Sequence, residues 1–170
     1  MAQTVLPSDL YVAGALTSQT FSPPAGSISD AAVAAPSPPS AAVKATKLQQ
    51  QYEPTYKQAS ATTAVSDQQV LHVVRGTTAT IIDYEAGCVV ANIGAATVTV
   101  DLLVNGTTVL SSTISLSSSQ TAYQVVTAAG FTSTAMVAGN VLETKITATA
   151  GGGTLGKGVF VSLRLREDPS

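Results

Sequence analysis

Residues 97–104, TVTVDLLV, place Val98, Val100, Leu102 and Val104 on one side of an extended chain and Thr97, Thr99, Asp101 and Leu103 on the other. Alternation with a period of two describes a strand with one buried and one wetted face. The run ends at Asn105-Gly106, and Thr108 to Leu116 supplies a return strand. A two-residue type I′ turn needs positive φ at both central positions, which Asn and Gly tolerate best, so this segment predicts a β-hairpin. Much of the remaining chain repeats the pattern. Val70–Arg75, Thr80–Tyr84, Cys88–Ile93, Thr121–Thr127, Val141–Thr149 and Val159–Arg166 are short runs rich in β-branched residues, separated by turns that contain glycine. In the last run Val159, Val161, Leu163 and Leu165 face one way and Phe160, Ser162, Arg164 and Arg166 the other. Roughly eight strands with short connections predict an all-β fold, an antiparallel β-sandwich of jelly-roll type spanning 65–170.

The first 43 residues read differently. They hold no Lys or Arg, only Asp9 and Asp30 as charges, and the proline clusters Pro23-Pro24 and Pro36-Ser37-Pro38-Pro39. Proline forbids long helices, and the apolar residues are too sparse to build a core, so 1–43 is expected to be an extended arm that docks on another surface. Leu10, Tyr11, Val12, Leu16, Phe21 and Ile28 are its anchors, with Val33 beyond them. Residues 44–64 form a connector, with one helical turn expected before Pro54. This connector is either a solvated linker or a contact zone between protomers, and in the second case Leu48, Tyr52 and Tyr56 carry the contact.

Groups able to do chemistry are scarce. Lys and Arg number 8 against 10 Asp and Glu, a formal net charge of −2, which leaves no footprint for nucleic acid. One cysteine excludes an internal disulfide or a zinc cluster within one protomer, and Cys88 stands in the apolar run Cys88-Val89-Val90-Ala91 as a buried thiol. No run approaches the ~18 apolar residues of a membrane span, and MAQTVLPSDL lacks the basic and apolar regions of a signal peptide, so a soluble chain with no membrane partner is expected. Gly151 to Lys157 match the first seven positions of a phosphate-binding loop, but Gly158 stands where Ser or Thr is needed and a strand follows where a helix should. His72 is alone among apolar neighbours and reads as structural, since a metal site built on it would have to be shared between protomers. Asp83 and Glu85 share a strand face, yet the nearest aromatic, Tyr84, points to the opposite one, so this pair reads as a solvated rim. No Gly-x-Ser-x-Gly elbow occurs, and no triad can be assembled around one histidine. Asn105-Gly106-Thr107 has the form of a glycosylation acceptor, which the turn already explains. No catalytic, cofactor-binding or metal-ligating residue is therefore expected.

Leu10-Tyr11-Val12-Ala13-Gly14-Ala15-Leu16-Thr17, then Ser22 to Ile28 and Ala41 to Gln51, resemble the N-terminal attachment region of tailed-bacteriophage virion proteins. His72-Val73-Val74, Val98 to Leu102, Asn105 to Leu110 and Val159-Phe160-Val161 through Arg166-Glu167-Asp168 resemble the same group, the small head-fibre and capsid-decoration proteins. The resemblance implies a non-enzymatic protein on the outer surface of the capsid. An N-terminal segment grips the major capsid protein or another virion protein, and a β-rich, commonly trimeric domain projects outward. Two other roles fit the same residues. One is a carbohydrate-binding jelly roll for a host-surface glycan, with Tyr84, Tyr123 and Phe131 lining a shallow site; the other is a tail or baseplate component.

Overall fold

Eleven strands succeed one another in the computed structural model, which describes residues 49–168, and no helix occurs among the described residues. They are β1 (Gln50–Tyr52), β2 (Thr55–Lys57), β3 (Asp67–Val73), β4 (Thr78–Val90), β5 (Thr97–Val104), β6 (Thr107–Thr108), β7 (Ile114–Leu116), β8 (Val125–Thr127), β9 (Ala135–Val137), β10 (Val141–Thr149) and β11 (Lys157–Asp168). The hairpin forms as its turn residues require. Asn105 has φ 50° and Gly106 φ 79°, and Leu103 and Val104 pair with Thr108 and Thr107. The Asn105 carboxamide also accepts a hydrogen bond from Val141 N at 2.9 Å, which ties the turn to β10.

All pairings between strands are antiparallel and build two sheets. The first runs β1-β11-β4-β8, with β2 also on β11 and β9 also on β4; the second runs β3-β10-β5-β6, with β7 also on β5. Three edges are single strands interrupted once. Tyr52 lies opposite Leu165 and Thr55 opposite Ser162, so the register runs through Glu53-Pro54, where proline has no N–H to give to the ladder. Counting β1 with β2, β6 with β7 and β8 with β9 leaves eight strands. The first sheet then holds the first, eighth, third and sixth of them, and the second sheet the second, seventh, fourth and fifth. That order is the jelly roll, an architecture common to viral capsid and lectin domains.

The two inner faces meet in one core, supplied by Val98, Val100 and Leu102 of β5, Leu142 and Ile146 of β10, Ile81, Tyr84 and Ala86 of β4, and Val159, Val161, Leu163 and Leu165 of β11. Inside β4 the pairing steps from Ile81 opposite Leu165 to Asp83 opposite Arg164, so Ile82 is an extra residue and stays exposed. This bulge moves the inward positions from odd (Ala79, Ile81) to even (Tyr84, Ala86, Cys88), which is what turns Tyr84 into the core.

Several sequence expectations change here. Residues 50–57 are an edge strand of the sandwich instead of a linker or a helical turn, so the β domain begins ahead of residue 65. Thr80–Tyr84 and Cys88–Ile93 are not two strands, because β4 is continuous from Thr78 to Val90. Gly87 sits inside it for packing: a Cβ there would lie 2.4 Å from Phe160 Cζ and 2.6 Å from Gln124 O. The return strand predicted over Thr108–Leu116 is divided into β6 and β7, and β9 is a strand that the sequence reading left out. The arm at 1–43, its anchors Leu10, Tyr11, Val12, Leu16, Phe21 and Ile28, and Leu48 lie outside the described residues.

Candidate functional site

Polar side chains join the two sheets at three levels. In the centre, fully buried Tyr84 of β4 places its hydroxyl 2.7 Å from the Thr144 hydroxyl of β10 and donates to Asp101 O of β5 at 3.2 Å. Burial pushes the Tyr84 phenol well above its ordinary range. At the edge, Tyr56 of β2 donates to the Asp67 carboxylate of β3. That hydrogen bond, then burial and the Asp67 charge, push the Tyr56 phenol up to about 12, while the same bond holds the Asp67 carboxyl low. The third link joins His72 Nε2 of β3 to Glu167 Oε1 of β11 at 2.5 Å. Glu167 also accepts from Arg75 N at 3.2 Å and Gly76 N at 2.8 Å. Burial alone would raise the Glu167 carboxyl, but the bonds from His72, Gly76 and Arg75 outweigh it and hold it below the usual carboxylate range.

The lone histidine thus has a partner on the other sheet in Glu167, a residue that sequence reasoning did not single out. Tyr52, an expected protomer contact, lays its ring 5.1 Å from the His72 ring and packs half-buried on the core, as does Tyr56. Among the described residues no group of three or more His, Cys, Asp or Glu is placed to hold a metal ion. Cys88 is buried, and burial pushes its thiol up to about 11, away from the reactive thiolate.

Asp83 and Glu85 do share the outer face of the first sheet, where they line a shallow hollow of about 50 Å³ with Glu53, Ser162 and Arg164. Each carboxylate there already has a partner. Arg164 Nη2 donates to Asp83 at 3.1 Å, Thr127 Oγ1 to Glu85 at 3.2 Å and Ser162 Oγ to Glu53 at 3.3 Å. The rim is solvated, and its Arg164–Asp83 pair is an exposed one.

The glycine-rich loop before β11 uses its N–H groups internally. Gly153 N donates to Ala150 O at 2.7 Å, Thr154 N to Ile93 O at 2.9 Å, Gly156 N to Asn92 Oδ1 at 2.7 Å and Gly158 N to Thr62 O at 3.0 Å. A phosphate cradle needs those donors free and a helix behind them; here strand β11 follows at once. The three aromatics grouped for a glycan site do not share one exposed surface. Tyr84 is 0% exposed, Phe131 is half-buried against the core, and Tyr123 is 69% exposed.

No protein-family model matches the sequence. No curated protein matches it either. Among solved structures, a chain of Desmodium yellow mottle tymovirus is similar over 99% of this chain and 96% of that chain, at 11% identity and a TM-score of 0.30, a likeness too loose to argue from. The class that the fold defines is an eight-stranded jelly-roll module.

Proposed function

We propose that the chain is a non-enzymatic structural protein of a virion, held on the outer capsid surface by its N-terminal arm and carrying the jelly roll as a head fibre or decoration. One observation carries this reading. A 43-residue segment with no Lys or Arg and two proline clusters precedes a jelly roll whose first strand among the described residues starts at Gln50. Such a segment gains its burial from a partner surface, and a self-contained β module beyond it remains free to project. The sequence resemblance to head-fibre and decoration proteins points the same way. Three copies would multiply weak arm contacts into a firm attachment, and a C-terminal domain rich in Ala and Val leaves surface burial for a homotrimer to supply.

Removing residues 1–43 takes away no described strand, so the truncated chain is expected to keep its melting transition and to lose co-sedimentation with particles. Truncated protein that still decorates particles at full occupancy would remove the arm from the attachment. Light scattering of the full chain is expected to report a trimer; a monomer at all concentrations from the micromolar range upward would remove the trimer.

A further inference from the structure

Glu167 is a carboxylate only 3% exposed, and its hydrogen-bond partners among the described residues are nitrogen donors. Four parts of the chain converge there. Glu167 belongs to β11; His72 comes from β3; Arg75 and Gly76 come from the 74–77 loop; and β1 places Gln50 opposite Glu167 and the Tyr52 ring against His72. The loop is pressed on β11 so closely that a Cβ on Gly76 would lie 2.0 Å from Asp168 O. The titratable and charged groups around this point are His72 on β3, Tyr52 on β1, Arg75 in the loop, and Arg166 and Asp168 beside Glu167 on β11. Asp168 is held separately by Thr78 and Gln49.

We propose that Glu167 is an acid-released latch: when its carboxylate takes up a proton, β1, the 74–77 loop and the end of β11 lose their shared anchor and open together, while the rest of the sandwich stays folded. An ionised carboxylate only accepts, which matches three converging N–H groups. Once protonated it must also place an O–H. Oε2 already receives two N–H groups, and the imidazolium that histidine forms in acid donates from both nitrogens, so none of these three partners can accept that O–H. A surplus donor at a buried point is costly. Because the folded carboxyl is held low, the latch contributes fully above the ordinary glutamate value of about 4.3 and is lost as pH falls through its lower folded value.

Hydrogen exchange on the full chain, corrected for intrinsic rates and read at about pH 6.5 and about pH 3, tests this. Protection is expected to fall about tenfold or more in 50–52, 74–77 and 165–168, with β5 and β10 unchanged. Unchanged protection in those three segments, or a uniform loss through the whole sandwich, overturns the latch. In Glu167→Gln the three segments are expected to exchange fast already at neutral pH with no further acid step; a wild-type pH dependence in that variant overturns it as well. Should Glu167→Gln not fold, His72→Leu removes one of the donors that lower the carboxyl, and the opening is expected to move to higher pH. An unmoved midpoint contradicts the latch.

Discussion

At the end of the sandwich where the upstream chain joins, Glu167 gathers His72 and two backbone N–H groups, and Asp168 takes Thr78 and Gln49. At the far end a neutral side chain does comparable work. The Asn92 amide donates to Leu116 O at 2.8 Å and accepts from Gly156 N at 2.7 Å, all of it buried. The four far loops, 58–66, 90–96, 117–124 and 150–156, contain no charged residue. Close glycine packing completes that end: a Cβ on Gly153 would lie 2.2 Å from Ile93 O and one on Gly156 2.2 Å from Val90 O. The difference teaches that one β-sandwich can tie its two ends with unlike chemistry. On the latch proposal the junction end responds to protons, whereas the far loops carry no charged side chain to respond with.

The sharpest way to break this comparison is Asn92→Ala. It strands Leu116 O and Gly156 N away from water, and the domain is expected to lose about 2 to 4 kcal/mol, equally at acid and neutral pH, in denaturant melts. A loss that varied with pH would mean that the far end is not the neutral one. Gly106→Val comes next, at about 1 to 3 kcal/mol. Nothing lies within 4 Å of a Cβ at Gly106, so the whole cost comes from forcing a β-branched residue to φ 79°. Asn105→Asp keeps the acceptor for Val141 N and is expected to melt near the parent.

Tyr56→Phe probes the edge between the two ends and is expected to cost roughly 1 kcal/mol at neutral pH. Its pH dependence has a definite sign. The folded phenol titrates near 12 against an ordinary 10.0, so on the alkaline side its contribution is complete below pH 10 and is lost as pH rises toward 12; on the acid side it is lost as pH falls through the lowered value of its partner Asp67. The variant is expected to lack that alkaline decline, which a stability profile across the interval would show. Smallest of all, Arg164→Ala removes an exposed ion pair with Asp83 and is expected to shift stability by no more than about 0.5 kcal/mol.

The fold was legible wherever one face of a strand is buried. Val98, Val100 and Leu102, and Val159 through Leu165, announce β5 and β11 by period alone, and Asn105-Gly106 fixes the hairpin between β5 and β6. The same period, continued for one step past Leu165, lands on Glu167 and would have turned a carboxylate inward toward the one histidine; a strand ended at Arg166 concealed it. Residues 51–57 alternate exposed and half-buried, with Tyr52, Pro54 and Tyr56 inward, but Lys, Gln and Pro outweighed that alternation because an edge strand buries only a narrow strip. Gly87 was misread because glycine signals a turn in sequence, whereas the reason for it is the Phe160 ring on the neighbouring strand. Long-range pairing of that kind leaves no local mark.

The proposed virion role rests on the arm and the sandwich being parts of one particle component, and the copy number of the chain on purified particles tests that most directly. Quantitative mass spectrometry against the major capsid protein is expected to find copies in the hundreds, in fixed proportion to the capsid lattice. A handful per particle would contradict capsid decoration and indicate the tail, and absence from particles would contradict the virion role itself.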